Sequence, residues 1–164
     1  LIKFSRSKFG DHIPTGSAYS KLEKNTLFEI LKEFKAYDES MGRMEIRKSS
    51  SLLRKIWSLG NEYLQTAAPW TLIKENPEEA GKIVRFGFNL LNFYSEISKP
   101  FIPETCQKIK NCLELPFNDK GWPKNNETVF SYLQGGENFV VIENLFSKID
   151  DEKTAELQVK FGGN

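Results

Sequence analysis

One stretch of the sequence strongly constrains the fold. Asn76-Pro77-Glu78-Glu79 combines a capping asparagine, a proline at the first helical position and two acids near the positive end of the helix dipole. The helix predicted to follow is apolar on nearly every face, with Ile83, Val84, Phe86, Phe88, Leu90, Leu91, Phe93 and Tyr94. Such a helix needs neighbours all round. We therefore expect it to be the central helix, with Phe88 and Leu91 fully buried.

Helical periodicity also dominates the sequence on both sides of this segment. We predict a helix tail over residues 1–9, a helix from Ser17 or Ser20 to about Ser40, a third from about 43 to 68, and one from Pro103 that ends before Pro116. The third has an apolar side formed by Ile46, Leu53, Ile56, Trp57, Gly60 and Leu64. The fold class is therefore all-α, an antiparallel helical bundle over residues 1–115.

Residues 116–164 are predicted to form an irregular C-terminal extension. Val129, Phe130, Tyr132 and Leu133 suggest a short helix, whereas residues 139–142 are strand-like. A single strand cannot form a sheet, so residues 137–149 are expected to lie extended along the bundle or against a partner. Asp150 would cap a final helix over about 151–161, which Gly162-Gly163 ends. We expect this helix to pack on the bundle.

Several function classes are disfavoured by composition. The two cysteines, Cys106 and Cys112, would point about 120° apart on a helix, which suits neither a disulfide nor a shared metal. With one histidine and no Gly-rich phosphate loop, the sequence predicts no catalytic residues, no metal site and no cofactor of its own. No apolar run approaches a membrane span, and free cysteines suit the cytoplasm. The chain begins at Leu1 rather than Met, so we interpret it as a fragment or a processed product.

The charge is small overall but uneven along the chain. The formal net charge is +1, yet residues 1–60 contain 12 Lys and Arg against 7 Asp and Glu, and residues 61–164 contain 11 against 15. A basic N-terminal half could face a phosphate backbone. Charge alone favours the simpler interpretation, a solvated mixture of charges on helix faces.

A helix end and a following corner form the best candidate site. Residues 60–70 read as the last turns of a helix stopped by Pro69, with Trp70 on the turn beyond and Asn61 nine residues earlier. An indole face beside a side-chain amide is a plausible reader of one unstacked base. The alternative is a buried tryptophan and a capping asparagine.

This segment resembles the anticodon-binding domain of methionyl-tRNA synthetases, in which an Asn-x-Tyr run leads to a Pro-Trp corner. Two other blocks are similar to the same family, Lys99-Pro100-Phe101-Ile102-Pro103-Glu104-Thr105 and Leu145-Phe146-Ser147-Lys148-Ile149-Asp150, the latter continuing to Phe161-Gly162-Gly163. The last block is similar to the cytosolic eukaryotic enzymes in particular. The resemblance runs from about Phe9 to the end of the chain.

The resemblance implies roles for Asn61, Pro69 and Trp70 in RNA binding. The tryptophan would stack on the first anticodon base, Pro69 would hold the corner, and Asn61 would lie beside the reading site. An Asn and an Arg of the family's first helix would fall just before Leu1, and the position after Asn61, often basic in relatives, is Glu62 here. That glutamate makes a backbone contact there doubtful.

The function implied by the resemblance is recognition of the CAU anticodon and positioning of tRNA(Met) for a methionine-tRNA ligase. ATP, with Mg, and methionine would bind the parent's catalytic domain, whose signatures are not in this sequence, and the final helix would lie towards that domain. Two alternatives are a helical protein–protein module that docks through residues 139–149, and the equivalent domain of another class I synthetase.

Overall fold

A computed structural model describes residues 1–117, 122–123, 130–142, 145–146 and 149–162. Within these residues it contains seven helices: α1 (Ile2–Phe9), α2 (Lys21–Gly42), α3 (Ile46–Ala67), α4 (Pro69–Leu72), α5 (Pro77–Ile97), α6 (Pro103–Cys112) and α7 (Asp151–Phe161). The all-α prediction is confirmed. In the described part of the chain, no helix has the length and apolar character needed to cross a membrane.

The predicted N-terminal caps define where three helices begin. The Ser20 hydroxyl accepts from the Leu22 N–H at 3.3 Å, while the Glu23 carboxylate accepts from the Ser20 N–H at 2.7 Å, so a capping box opens α2. Asn76 Oδ1 accepts from the Glu79 N–H at 3.1 Å at the start of α5. Asp150 accepts from the Lys153 N–H at 2.8 Å and caps α7. Local hydrogen bonding therefore sets these three boundaries.

The central position of α5 explains its sequence. One apolar cluster packs α5 against α2 and α3 through Leu27, Ile30, Phe34, Tyr37, Leu53, Ile56, Tyr63, Phe86 and Phe93. A second cluster lies on another side of α5 and contains Ile13, Val84, Phe88, Ile109, Leu113, Leu133 and Phe139. Because α5 contributes to both clusters, it needs apolar residues on nearly every face.

One buried position was predicted wrongly. Leu91 is only half-buried, because it faces an open groove beside α3 and α6. Ile46, which the sequence places on the apolar side of α3, is 48% exposed at the first residue of that helix. Phe88 is fully buried, as expected.

The cysteines and the strand-like segment behave as expected where they are described. Both thiols are free and buried, and burial raises the pKa of Cys106 and of Cys112 to about 11. Phe139 is buried against the Phe88 ring, and the Val140 N–H donates to the Cys112 carbonyl at 2.8 Å. This part of the extension therefore lies extended on the bundle.

The short helix predicted from Val129, Phe130, Tyr132 and Leu133 is confirmed only in part. Residues 130 and 131 form part of a 3₁₀ turn, whereas Tyr132 lies in a bend and Leu133 lies outside any helix. Val129, Ser147, Lys148 and Gly163 lie outside the described residues. Helix α7 has no buried residue. Its packing on the bundle stays a prediction.

The central position of α5 leads to a stability test. Phe88→Ala should lower the free energy of unfolding by about 3–5 kcal/mol, because it removes buried apolar surface and leaves a cavity. Phe28→Ala is a matched control, since Phe28 is 66% exposed, and should change stability by under about 0.5 kcal/mol. Chemical denaturation of both variants measures the difference. Equal effects would mean that α5 is not the centre of the core.

Candidate nucleic-acid interface

The corner after α3 is built on a strained residue. Ala68 has φ 41° and ψ 60°, a left-handed conformation that costs a non-glycine residue about 1–2 kcal/mol, and a residue before proline also disfavours α conformations. Its N–H donates to the Leu64 carbonyl at 3.0 Å and closes α3. Pro69 is buried and begins α4. The chain therefore turns sharply at one fixed residue.

This turn leaves Trp70 accessible. The side chain is 45% exposed, and its neighbours Thr71 and Lys74 are exposed too. The other two tryptophans have packing roles: Trp57 donates from Nε1 to Ser98 Oγ at 3.2 Å, and Trp122 lies against the rings of Phe34 and Tyr37. Trp70 is thus not buried in the core, which disagrees with the alternative interpretation.

Asn61 lies on the exposed side of α3, seven residues before Ala68, which corresponds to about 10.5 Å along the helix axis. Its side chain makes no hydrogen bond within the described part of the chain, so it is no cap. Seven residues amount to nearly two full turns, so Asn61 and the corner lie on the same side of α3. No hydrogen bond between described atoms joins Asn61 to Trp70, and a shared site of Asn61, Pro69 and Trp70 stays a prediction.

A groove of about 430 Å³ borders Asn61. Its walls are mainly apolar and come from α3, α5 and α6, with Trp57, Leu64, Leu91 and Tyr94 among them. Gly60 allows the close approach of Tyr94, whose hydroxyl donates to the Ile56 carbonyl at 3.1 Å. Among the described residues, no cluster of His, Cys, Asp and Glu could hold a metal ion.

A buried charged network lies inside the bundle and includes Tyr63, five residues before Ala68. Lys82 on α5 and Glu23 on α2 are each about 1% exposed, and their Nζ and Oε2 atoms are 3.2 Å apart. Tyr63 on α3 donates to Glu23 Oε1 at 2.7 Å. Glu79 forms a second ion pair with Lys82 and accepts from Ser17 Oγ at 3.2 Å.

The network joins three helices and holds a carboxylate in its charged form. Burial alone would raise the pKa of Glu23, but hydrogen bonds from Ser20 and Tyr63 and the charge of Lys82 together lower this pKa below its ordinary value. No sequence motif pointed to this network, because Glu23 and Lys82 are far apart in the chain and each looks like an ordinary surface charge.

Comparison with known proteins identifies the family. A family model described as the anticodon binding domain of methionyl tRNA ligase matches residues 13–164. The chain belongs to this family. It is 42% identical over 163 residues to a methionine–tRNA ligase of Ruegeria pomeroyi, and 41% identical to those of Ruegeria sp. (strain TM1040) and Cereibacter sphaeroides (strain ATCC 17025).

These alignments cover 99% of this chain and 28% of each relative, so the chain spans just over a quarter of their length. The three ligases are bacterial, so they give no support to the expected cytosolic eukaryotic type. A crystal structure of apo methionyl-tRNA synthetase from Mycobacterium tuberculosis superposes with a TM-score of 0.75 at 12% identity, covering 89% of this chain and 29% of that one. At this identity the likeness concerns the fold alone.

The buried network predicts a pH-dependent loss of stability. Tyr63→Phe removes one hydrogen bond to the buried carboxylate and should lower the free energy of unfolding at pH 7 by about 1–3 kcal/mol. A lowered folded-state pKa means that Glu23 stabilises the fold above its unfolded-state pKa, and this contribution is lost as pH falls through the folded-state value. The difference between the variant and the unmodified chain should therefore shrink in acid.

Denaturation curves from neutral to acidic pH measure this difference. Tyr132→Phe is the matched control, because Tyr132 is exposed, and it should change stability by under about 0.5 kcal/mol at every pH. A Tyr63→Phe deficit that stays constant as the pH falls would contradict the role of the Glu23 charge.

Proposed function

We propose that this chain recognises the CAU anticodon of tRNA(Met), with Trp70 as the stacking platform for the first anticodon base. The main support is the combination of family membership with an exposed indole on the fixed corner after Pro69. Proteins commonly read RNA sequence from unstacked loop bases that stack on aromatic side chains. Asn61, exposed and without a hydrogen-bond partner among the described residues, would offer its amide beside the stacked base.

The same proposal gives the chain a place in a larger enzyme. The parent protein would be a cytoplasmic ligase that joins methionine to tRNA(Met) using ATP, with ATP, Mg and methionine bound by its own catalytic domain. The anticodon-binding domain formed by this chain would hold the tRNA so that the acceptor end of the tRNA reaches the catalytic domain. The C-terminal extension would lie towards the catalytic domain. The chain itself would contribute binding and no chemistry.

The rival function, a protein–protein module docking through residues 139–149, has less support. Phe139 is buried against Phe88, and the Val140 N–H is already bonded to Cys112. Phe139 and Val140, the first two residues of this segment, are therefore engaged within the chain.

Binding of two RNA hairpins tests the proposal. One hairpin carries CAU in the loop of the tRNA(Met) anticodon arm, and the other has its first anticodon base changed. The 164-residue chain should bind the first more tightly. Indifference to the base change would contradict anticodon reading.

Substitution of Trp70 gives a sharper result. Trp70→Ala should weaken binding of the CAU hairpin by about 1–3 kcal/mol, since one base stack is lost, while the free energy of unfolding changes by about 1 kcal/mol or less.

In the full-length ligase, charging of tRNA should fall while activation of methionine by ATP continues. Trp122→Ala is the control, a tryptophan of similar exposure, 38%, away from the corner. A strongly destabilised Trp70→Ala protein, in which activation and charging fall together, would contradict the assignment.

A further inference from the structure

The exposed face of α3 carries an unbroken line of hydrogen-bond donors. Six exposed residues recur at spacings of four and three along the helix, namely Arg47, Ser51, Arg54, Ser58, Asn61 and Gln65. At 100° per residue these positions fall within about 40° of one line on the helix surface. We call this set the α3 stripe.

No acid of the described residues neutralises the two arginines of the α3 stripe. Within the described part of the chain, neither Arg47 nor Arg54 forms an ion pair, and the side chains of Ser51, Ser58, Asn61 and Gln65 make no hydrogen bonds. The lysines beside the stripe differ: Lys48 pairs with Glu45 at 3.1 Å and Lys55 with Glu33 at 2.7 Å. Acids thus pair with the flanking lysines, whereas the stripe itself has no acid. The single acid of α3, the exposed Glu62, lies beside Asn61 near the C-terminal end of the helix, so the charged phosphate contacts are assigned to Arg47 and Arg54.

The spacing of the α3 stripe is regular and leads to the corner. Arg47, Arg54 and Asn61 follow one another at seven-residue intervals, about 10.5 Å each along the axis. The next such position is Ala68, where the chain turns into Pro69 and Trp70. A chain molecule that stacks one of its aromatic rings on Trp70 could therefore follow the α3 stripe from Gln65 to Arg47, a length of about 27 Å.

We propose that the α3 stripe is a track for the sugar-phosphate backbone of the RNA whose base stacks on Trp70. The inference rests on the proposed anticodon recognition and adds residues to it. Arg47 and Arg54 supply planar guanidinium groups that match phosphate oxygens. The hydroxyl and amide side chains of the other four stripe residues can bond phosphate oxygens and 2′-hydroxyls, and a 2′-hydroxyl is both donor and acceptor. A chain of phosphates continuous with an aromatic stack fits this pattern better than an acidic peptide does.

The test compares two double variants of the 164-residue chain. Arg47→Ala/Arg54→Ala removes both guanidinium groups, and Lys35→Ala/Lys108→Ala removes two exposed lysines of α2 and α6 that have no ion pair among the described residues. Fluorescence anisotropy gives the affinity for the CAU hairpin and for the hairpin with the changed base, at several salt concentrations. Circular dichroism confirms that each variant is folded.

The α3 stripe variant should bind both hairpins roughly tenfold or more weakly, with the ratio between them unchanged, because phosphate contacts do not read sequence. The plot of log affinity against log salt has a negative slope. This slope should become less steep by about 1.5–2, since two phosphate contacts are lost. The lysine control should keep the affinity and the slope of the unmodified chain. Trp70→Ala should instead reduce the ratio of the affinities for the two hairpins, while the salt dependence of binding stays the same.

Four outcomes would overturn the track. Unchanged binding by the α3 stripe variant, with binding weakened by Trp70→Ala, would reject the track and keep the proposed function. An equal loss in the lysine control would show that only overall charge matters. Displacement of the hairpin by poly-glutamate as efficiently as by unlabelled hairpin would assign the stripe to acidic proteins. If the unmodified chain binds neither hairpin at low salt, both the track and the proposed function fail.

Discussion

A positive charge buried in the centre of the bundle is the constraint on which much of this structure depends. Lys82 is held between Glu23 and Glu79, and Tyr63 donates to Glu23 from a third helix. Loss of either partner of such a pair leaves an uncompensated buried charge and typically costs about 3–5 kcal/mol. The network therefore fixes the first turns of α2 and α5 relative to the last turns of α3. A shift of α2 or α5 would separate the buried ion pair of Glu23 and Lys82, and a shift of α3 would remove the Tyr63 hydroxyl from Glu23.

This arrangement explains how a strained corner can persist. A left-handed alanine before a proline is unfavourable by itself and survives only where the surrounding structure fixes it. Here Tyr63 anchors α3 five residues before Ala68, while Pro69 is buried and α4 contacts α5. The strain gives a defined position to Trp70, whose ring is then partly exposed without a flexible linker. Pre-organisation of this kind lowers the entropy lost when a loop base is captured.

The sequence predicted those parts of the fold that local chemistry determines. Ser20, Asn76 and Asp150 cap helices because the capping hydrogen bonds span only two or three residues. The corner at Pro69 was predictable for the same reason, and the burial of Phe88 followed from the pattern of a single helix. Leu91 was placed wrongly because its exposure depends on a groove formed by three helices. The pair of Glu23 and Lys82 was missed because charges in sequence carry no sign of their partner until the chain is folded.

The distribution of charge matters more for this domain than its total. A net charge of +1 gives little general attraction for nucleic acid, whereas α3 alone has four basic residues and one acid, Glu62. Pairing with Glu45 and Glu33 then occupies two of the four basic residues and leaves Arg47 and Arg54 for a ligand. A protein organised in this way would hold any RNA weakly through two phosphate contacts, and the stack on Trp70 would make the difference between one loop sequence and another. Specificity would then persist at salt concentrations that weaken the backbone contacts, because base stacking is not an interaction between net charges.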